Sequence, residues 1–313
     1  MSVDVAVVGL YIVDILGRPI TGIPAGGRVD FIEEIRLTVA GTAGGTAVDC
    51  SKLGMKTLAV GAVGDDEKAE FLLNTLARHG VDISHMQRIA GVPTSATMLC
   101  IQPDGTRPAL HARGASDHLL VRPEDVPRVF EAAYVHLGGT GLLRAMDGAP
   151  TVHFLRHAQS RGCLTSFDLV GARAETLALV EPVLPFVDYF IPSIEEAAVL
   201  SGKSHEDDIV QYFLDRGVKT CILTMGENGA LIANRDAHLY IPAYDVPVVD
   251  TTGCGDAFSA GFLAALCRGN DIEEAGRFAA AAAALVATGL GSDAGIIGFE
   301  ETHRSMTTLP IRR

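Results

Sequence analysis

A chain of 313 residues, 48% of them hydrophobic, can bury a sizeable core as one large α/β domain or two small ones. Its 25 Lys and Arg against 38 Asp and Glu leave a formal charge of −13, which opposes binding to nucleic acid or to an anionic membrane surface and favours a small-molecule partner. The six cysteines show no C-x-x-C spacing, which argues against a zinc knuckle or a disulfide framework and fits reduced thiols in a cytoplasm.

The opening MSVDVAVVGLYIVDILG has no basic segment, and Asp4 and Asp14 bracket too short an apolar stretch for a secretory signal or a membrane span. It reads as a buried first strand. Short β-rich runs then alternate with helical stretches: VDVAVVGL, GTAVDCSKLG, TLAVGAVG and EKAEFLLNTLARHG. From Tyr134 onward AAYVHLGG, the helical TVHFLRHAQSRG and the strands CLTSFDL, DYFIP and TCILTMG continue the βαβ grammar. An α/β fold follows, with a central mostly parallel sheet flanked by helices and a site at the strand ends. Two segments break the rhythm, roughly 11–39 and 94–112, and the second, TMLCIQPDGTRPALHA, reads as a hairpin around a Pro-Asp-Gly turn. They are expected to form a small β lid on a single domain spanning 1–313, since no linker or shift in composition divides the chain. The alanine run in FAAAAAALVATG suits a tightly packed helix.

The segment DTTGCGDAFSAGFLAAL, residues 250–266, is a strand end that passes through a glycine turn into a helix with apolar residues at helical spacing. Gly253 and Gly255 let the backbone turn tightly, so amide N–H groups at the helix start can face one anion. Asp256 falls in the first helical turn beside them. A carboxylate there serves either as a base for an alcohol that attacks phosphorus or as a helix cap that complements the dipole, and turn geometry alone leaves both open.

DTTGCGDAFSAGF resembles the D-T-x-G-A-G-D signature of ribokinase-like (PfkB) carbohydrate kinases, and further landmarks recur in order from Val5 to about Gly295. The resemblance implies that Asp256 is the catalytic base and that the amides of Gly253, Cys254 and Gly255 form an anion hole for the phosphoryl group. Cys254 stands where the family usually has alanine; a thiol at a helix N-terminus favours thiolate, and a small packed side chain is the alternative. In VVGLYIVD the resemblance makes Asp14 a ligand of sugar hydroxyls. AGTAGGTAVDCSKLG resembles the G-G-x-x-x-N-x-A element, with Gly45 replacing the asparagine that commonly touches substrate, so the backbone at Gly41 and Gly45 would approach the sugar. YFIPSIEEAAVLSG resembles the N-x-x-E segment and implies that Glu196 organises magnesium-bound water. CILTMGENGALI resembles the T-x-G-x-x-G strand and turn, placing Thr224, Gly226 and Gly229 at the nucleotide phosphates, although a plain hairpin explains the glycines as well. Asp250 and Thr252 occupy positions that in many relatives help hold a monovalent cation such as K+, or simply close the turn.

The reading is an ATP- and Mg2+-dependent kinase that phosphorylates a small sugar or sugar derivative, with a homodimer through the lid. Two alternatives stand beside it, a nucleoside kinase on the same scaffold and a non-catalytic sugar sensor. A nucleoside acceptor needs an aromatic shelf, for which the lid offers chiefly Tyr11 and Phe31. Arg107, His111, Arg113 and Asp168 receive no role.

Overall fold

The computed structural model describes residues 3–103 and 106–312. The first strand, β1 (Val5–Gly9), is apolar and buried along its whole length. Ala6 and Val8 belong to one half of the core and Val5 and Val7 to the other, so the strand is covered on both faces. Only a sheet sandwiched between helix layers accommodates such a strand. Accordingly β1 lies between β4 (Thr57–Val60) and β9 (Tyr134–Thr140), parallel to each. β10 (Leu164–Leu169), β11 (Tyr189–Phe190) and β12 (Thr220–Thr224) extend the parallel sheet. A hairpin of β13 (Ala230–Ala233) and β14 (His238–Ile241) finishes it antiparallel, giving the order β14-β13-β12-β11-β10-β9-β1-β4.

One face carries α1 (Gly44–Lys52), α2 (Glu67–Arg78), α7 (Cys254–Cys267) and α8 (Ile272–Ala287), with α9 (Phe299–Thr308) packed outside. The other carries α3 (Ala149–Ser160), α4 (Leu177–Val180), α5 (Ile194–Ser201) and α6 (Glu206–Leu214). Caps fix where these helices begin: Asp66 Oδ1 accepts from Ala69 N (3.0 Å), and Asp271 Oδ1 accepts from Glu273 N (3.0 Å) and Glu274 N (2.9 Å). The alanine run forms α8, and small residues let α7 approach it closely. A Cβ added at Gly261 would lie 2.9 Å from Ala279 Cα, so no side chain fits between the two axes there.

The segments that break the βαβ rhythm form a second, four-stranded sheet. Its order is β3 (Glu34–Ala40), β2 (Ile12–Arg18), β7 (Ala96–Cys100), β8 (Ala109–Ala112), and a short pair, β5 (Ala62–Val63) with β6 (Gln87–Arg88), lies apart from it. β7 and β8 are antiparallel, and the expected Asp104-Gly105 turn between them lies outside the described residues. Register aligns Thr38, Asp14, Thr97 and His111 across one face of this sheet and Leu37, Ile15, Met98 and Leu110 across the other. Asp14, Thr38 and Thr97 are buried, whereas Leu37, Met98 and Leu110 are 46%, 52% and 64% exposed. The lid therefore buries Asp14, Thr38 and Thr97 on the same face as apolar Leu16 and Leu99, while the face it turns to solvent is itself apolar, unlike that of an ordinary half-buried sheet.

All six cysteines are free, and no described helix is long and apolar enough to cross a membrane.

Candidate active site

The start of α7 is set by Gly253, which adopts φ +81° as the residue before the helix. A Cβ there would lie 2.4 Å from Ser292 Cβ, so both the backbone conformation and the space require glycine. The helical ladder opens with Ala257 N donating to Gly253 O at 2.8 Å, and the amides ahead of it gather at the positive end of the helix. Cys254 N also donates to Thr251 O at 3.3 Å, closing the turn.

Asp256 sits half-buried in the first turn of α7. Burial raises its carboxyl to about 8, the charges of Asp14 and Glu196 push the same way, and Arg107 pulls it down. Facing it is α1: a Cβ added at Gly45 would meet Asp256 Oδ2 at 2.5 Å. The absence of a side chain at 45 thus makes room for this carboxylate. Gly41, at φ +86°, is accounted for by packing against Leu10 O, which its Cβ would approach to 2.4 Å. Both glycines, which the sequence offers as bare backbone near a substrate or as points of close packing, lie against protein neighbours here.

Asp14 lies on β2, within the field of Asp250 in the turn, and is 4% exposed. Its Oδ1 is buried with no hydrogen-bond partner among the described residues, an orphan acceptor that calls for a ligand hydroxyl or water. Burial raises this carboxyl to about 7; a hydrogen bond from Thr97 and the charge of Arg107 oppose the rise, and Asp250 reinforces it. Asp250 is bound into the turn: its Oδ1 accepts from Thr252 N (3.0 Å) and Thr252 Oγ1 (2.8 Å), its Oδ2 from Gly291 N (3.0 Å).

Arg107, unassigned in the sequence, reaches from the β7–β8 connection to Thr252, where Nη1 donates to Oγ1 at 3.1 Å. It joins lid to turn and is the cation felt by Asp14, Asp256 and Cys254 alike. A lone arginine in a hairpin above an acid-lined site was the available signal. His111 instead shares a 3.0 Å hydrogen bond with Thr97 Oγ1, and Arg113 pairs with Asp117 at 2.8 Å.

On the far side of Asp256, Glu196 closes a capping box at the start of α5. Its Oε2 accepts from Ser193 N (3.2 Å) and Ser193 Oγ (3.1 Å), and its Oε1 from Gly171 N (2.8 Å). Burial raises its carboxyl despite these bonds. Buried Asp168, at the end of β10, is also held well above the usual carboxylate range by burial and by the charges of Glu196 and Asp256. Three acids thus share one field.

Beside the turn opens a cavity of about 350 Å³. Thr224, Gly226 and Gly229 line it with Cys254 and Gly255, and the glycines do belong to a hairpin, that of β12 and β13. The hairpin and phosphate readings are therefore compatible. Cys254, however, is not poised as a thiolate: burial drives its thiol to about 12, Asp250, Asp256 and Asp49 reinforce this, and Arg107 opposes it. The helix N-terminus is outweighed. Nor do Tyr11 and Phe31 form a shelf, because Tyr11 is fully buried with its hydroxyl donating to Val7 O (2.9 Å) while Phe31 is 96% exposed.

The chain matches the pattern of the pfkB family carbohydrate kinases over residues 4–297. Fructokinase-1 of Oryza sativa subsp. japonica is 30% identical over 268 residues, 80% of this chain and 83% of that protein. A deoxyribokinase of Salmonella typhi is 26% identical over 310 residues, 97% of this chain and 99% of that one. Among solved structures, Arabidopsis thaliana ribokinase complexed with ribose and ATP superposes with a TM-score of 0.82 at 23% identity, covering 98% of this chain and 99% of that chain.

Proposed function

The chain belongs to the PfkB family of carbohydrate kinases, and from that premise we propose that it phosphorylates a small sugar bound under the lid, with Asp256 as the base. It is an ATP-dependent sugar kinase, a phosphotransferase with an alcohol acceptor. The observation that carries the assignment of roles is the position of Asp256, in the first turn of α7 between Asp14 on the lid and the cavity that ends at Gly255.

The orphan Oδ1 of Asp14 accepts from the acceptor's hydroxyls. Asp256 takes the proton of the reacting hydroxyl as its oxygen attacks the γ-phosphorus and the bond to the β-phosphate breaks. The amides of residues 253–255 stabilise the charge on the transferring oxygens. Arg107 holds the lid over the turn and excludes water from the transfer. Thr224, Gly226 and Gly229 border the phosphates.

Among the described residues no three carboxylate, imidazole or thiol groups converge to hold a metal by themselves, so a divalent cation would arrive on the nucleotide and lean on Glu196 alone. Magnesium held there by Glu196 through water would neutralise phosphate charge. Asp250 already accepts three hydrogen bonds, so little of its acceptor capacity remains for a monovalent cation, and we assign it as the brace of the turn. A sugar is favoured over a nucleoside because Tyr11, fully buried and bonded to Val7 O, presents no stacking surface to the site. Six free cysteines support a cytoplasmic setting. The exposed apolar face of Leu37, Met98 and Leu110 supports a homodimer through the lid; sedimentation that finds only monomer at micromolar concentration removes that element.

Single-turnover transfer by Asp256→Asn tests the base. The substitution keeps shape and hydrogen bonding, so ATP and sugar should still bind, while the rate should fall by about 10²–10⁴-fold. In the native enzyme the rate should climb with pH as this carboxyl, raised to about 8, loses its proton, and level off above. A folded Asp256→Asn protein with near-normal transfer would mean that the carboxylate is only a helix cap.

A further inference from the structure

The cavity beside the turn is built for the shape of a nucleotide base and not for its hydrogen-bonding edge. Away from the turn its wall is Ala280, Ala283, Ala284 and Ala287 of α8, faced by Phe258 and Val248. The alanines leave a slot that a flat ring can enter. Among the described lining residues, Thr251 and Cys254 belong to the turn, and Thr224, at the end of β12, donates its hydroxyl to Pro192 O at 3.4 Å. The other polar side chains are spent on one another or on the backbone. Arg312 Nη2 pairs with Glu227 Oε2 at 2.5 Å, and Tyr244 points its hydroxyl at Met306 O, 3.3 Å away. Much of the adjoining backbone is committed as well: Arg312 N donates to Ala243 O (2.9 Å), Asp245 N to Pro310 O (2.8 Å) and Val249 N to Ala287 O (2.8 Å).

On the premise that this cavity is the nucleotide site, we infer that the enzyme accepts purine nucleoside triphosphates generally, GTP and ITP included, as phosphoryl donors. The chemistry is unchanged. The acceptor oxygen forms its bond to the γ-phosphorus, the bond to the β-phosphate breaks, the nucleoside diphosphate leaves and Asp256 takes the acceptor's proton. What differs between ATP and GTP is the ring edge, and an apolar slot reads an edge weakly. Apolar pockets separate near-isosteres by about 10–200-fold, whereas sites with dedicated hydrogen-bonding groups separate them by about 10⁴–10⁵-fold.

Calorimetric titration of the full-length protein with unmodified ADP, GDP and IDP, in magnesium, measures this without an acceptor. Dissociation constants within about 200-fold of one another are expected, with GTP and ITP supporting turnover once an acceptor is known. Binding of ADP tighter than GDP by more than about 200-fold overturns the inference and leaves the kinase reading intact. If none of the three binds, the nucleotide assignment of the cavity falls and the inference with it. Ala284→Leu, checked by its melting curve, adds bulk to the slot and should weaken all three ligands together. Loss of ADP binding alone would show that the purines do not share it and would overturn the inference too.

Discussion

The two ends of the site are built on opposite principles. At the end we propose for the acceptor, Asp14, Asp250 and Asp256 converge from the lid, the turn and the first turn of α7, with Arg107 reaching in among them. At the end we propose for the donor, much of the wall is alanine, valine and phenylalanine, and the nearby charges of Glu227 and Arg312 meet in an ion pair. Buried carboxylates cost folding free energy unless something compensates them, so a fold keeps them where they do chemistry or recognition. Their pKa values show the cost: Asp14 is raised to about 7 and Asp256 to about 8, each chiefly by burial. The alanine wall carries no such strain. On the function proposed above, the contrast would leave recognition of the acceptor to charge and direction, and recognition of the donor to area and shape.

Asp14→Ala strikes the charged end alone and should show the larger effect. The side chain removed is a buried acceptor whose Oδ1 awaits a donor. Hydrogen bonds to a charged group contribute about 1.5–3 kcal/mol, so the sugar KM should rise by about 10–100-fold while nucleotide affinity stays within about twofold. Steady-state kinetics with each substrate varied in turn make the check. An unchanged sugar KM would break the comparison at its acceptor end, because the orphan oxygen would then be serving the protein and not the substrate.

Much of this arrangement was legible in the chain. The alternation of short apolar runs with helical stretches marks the parallel sheet, since β1, β4, β9, β10, β11 and β12 are each built from a local pattern. The Gly-Cys-Gly-Asp turn was legible for the same reason, being a strand end, two glycines and an acidic first turn in one segment. What stayed hidden depends on distance along the chain. Arg107 meets Thr252 across 145 positions, and the turn's own brace runs from Asp250 to Gly291. Gly45 carries meaning only once α1 is seen against Asp256, because a missing side chain leaves no pattern of its own. The apolar outer face of the lid also escaped notice. Alternation along a strand is equally visible whichever face turns to solvent, and only the register of four strands brings Leu37, Met98 and Leu110 onto one exposed face.

Cys254 sits on the border between the two ends and so sharpens the comparison most finely. Its position at the start of α7 argues for a reactive thiolate, as helix N-termini stabilise anions. Its surroundings argue the reverse: burial comes first, the acceptor-end carboxylates of Asp250 and Asp256 add to it, and the thiol rises to about 12. A thiol so placed stays protonated at neutral pH and acts as a small packed side chain lining the cavity. Alanine differs from it by a single sulfur atom and leaves the backbone amide in place, so Cys254→Ala should hold kcat and both KM values within about twofold. In the native enzyme a thiol reagent at pH 7 should reach exposed Cys267 well before Cys254, as peptide mapping of the modified protein would reveal. A loss of about 10-fold or more in kcat on Cys254→Ala, or preferential labelling of Cys254, would show that the field of the helix prevails over that of the carboxylates. The acceptor end would then have to be less negative than its cluster of acids implies, with Arg107 neutralising more of them than the single bond to Thr252 suggests.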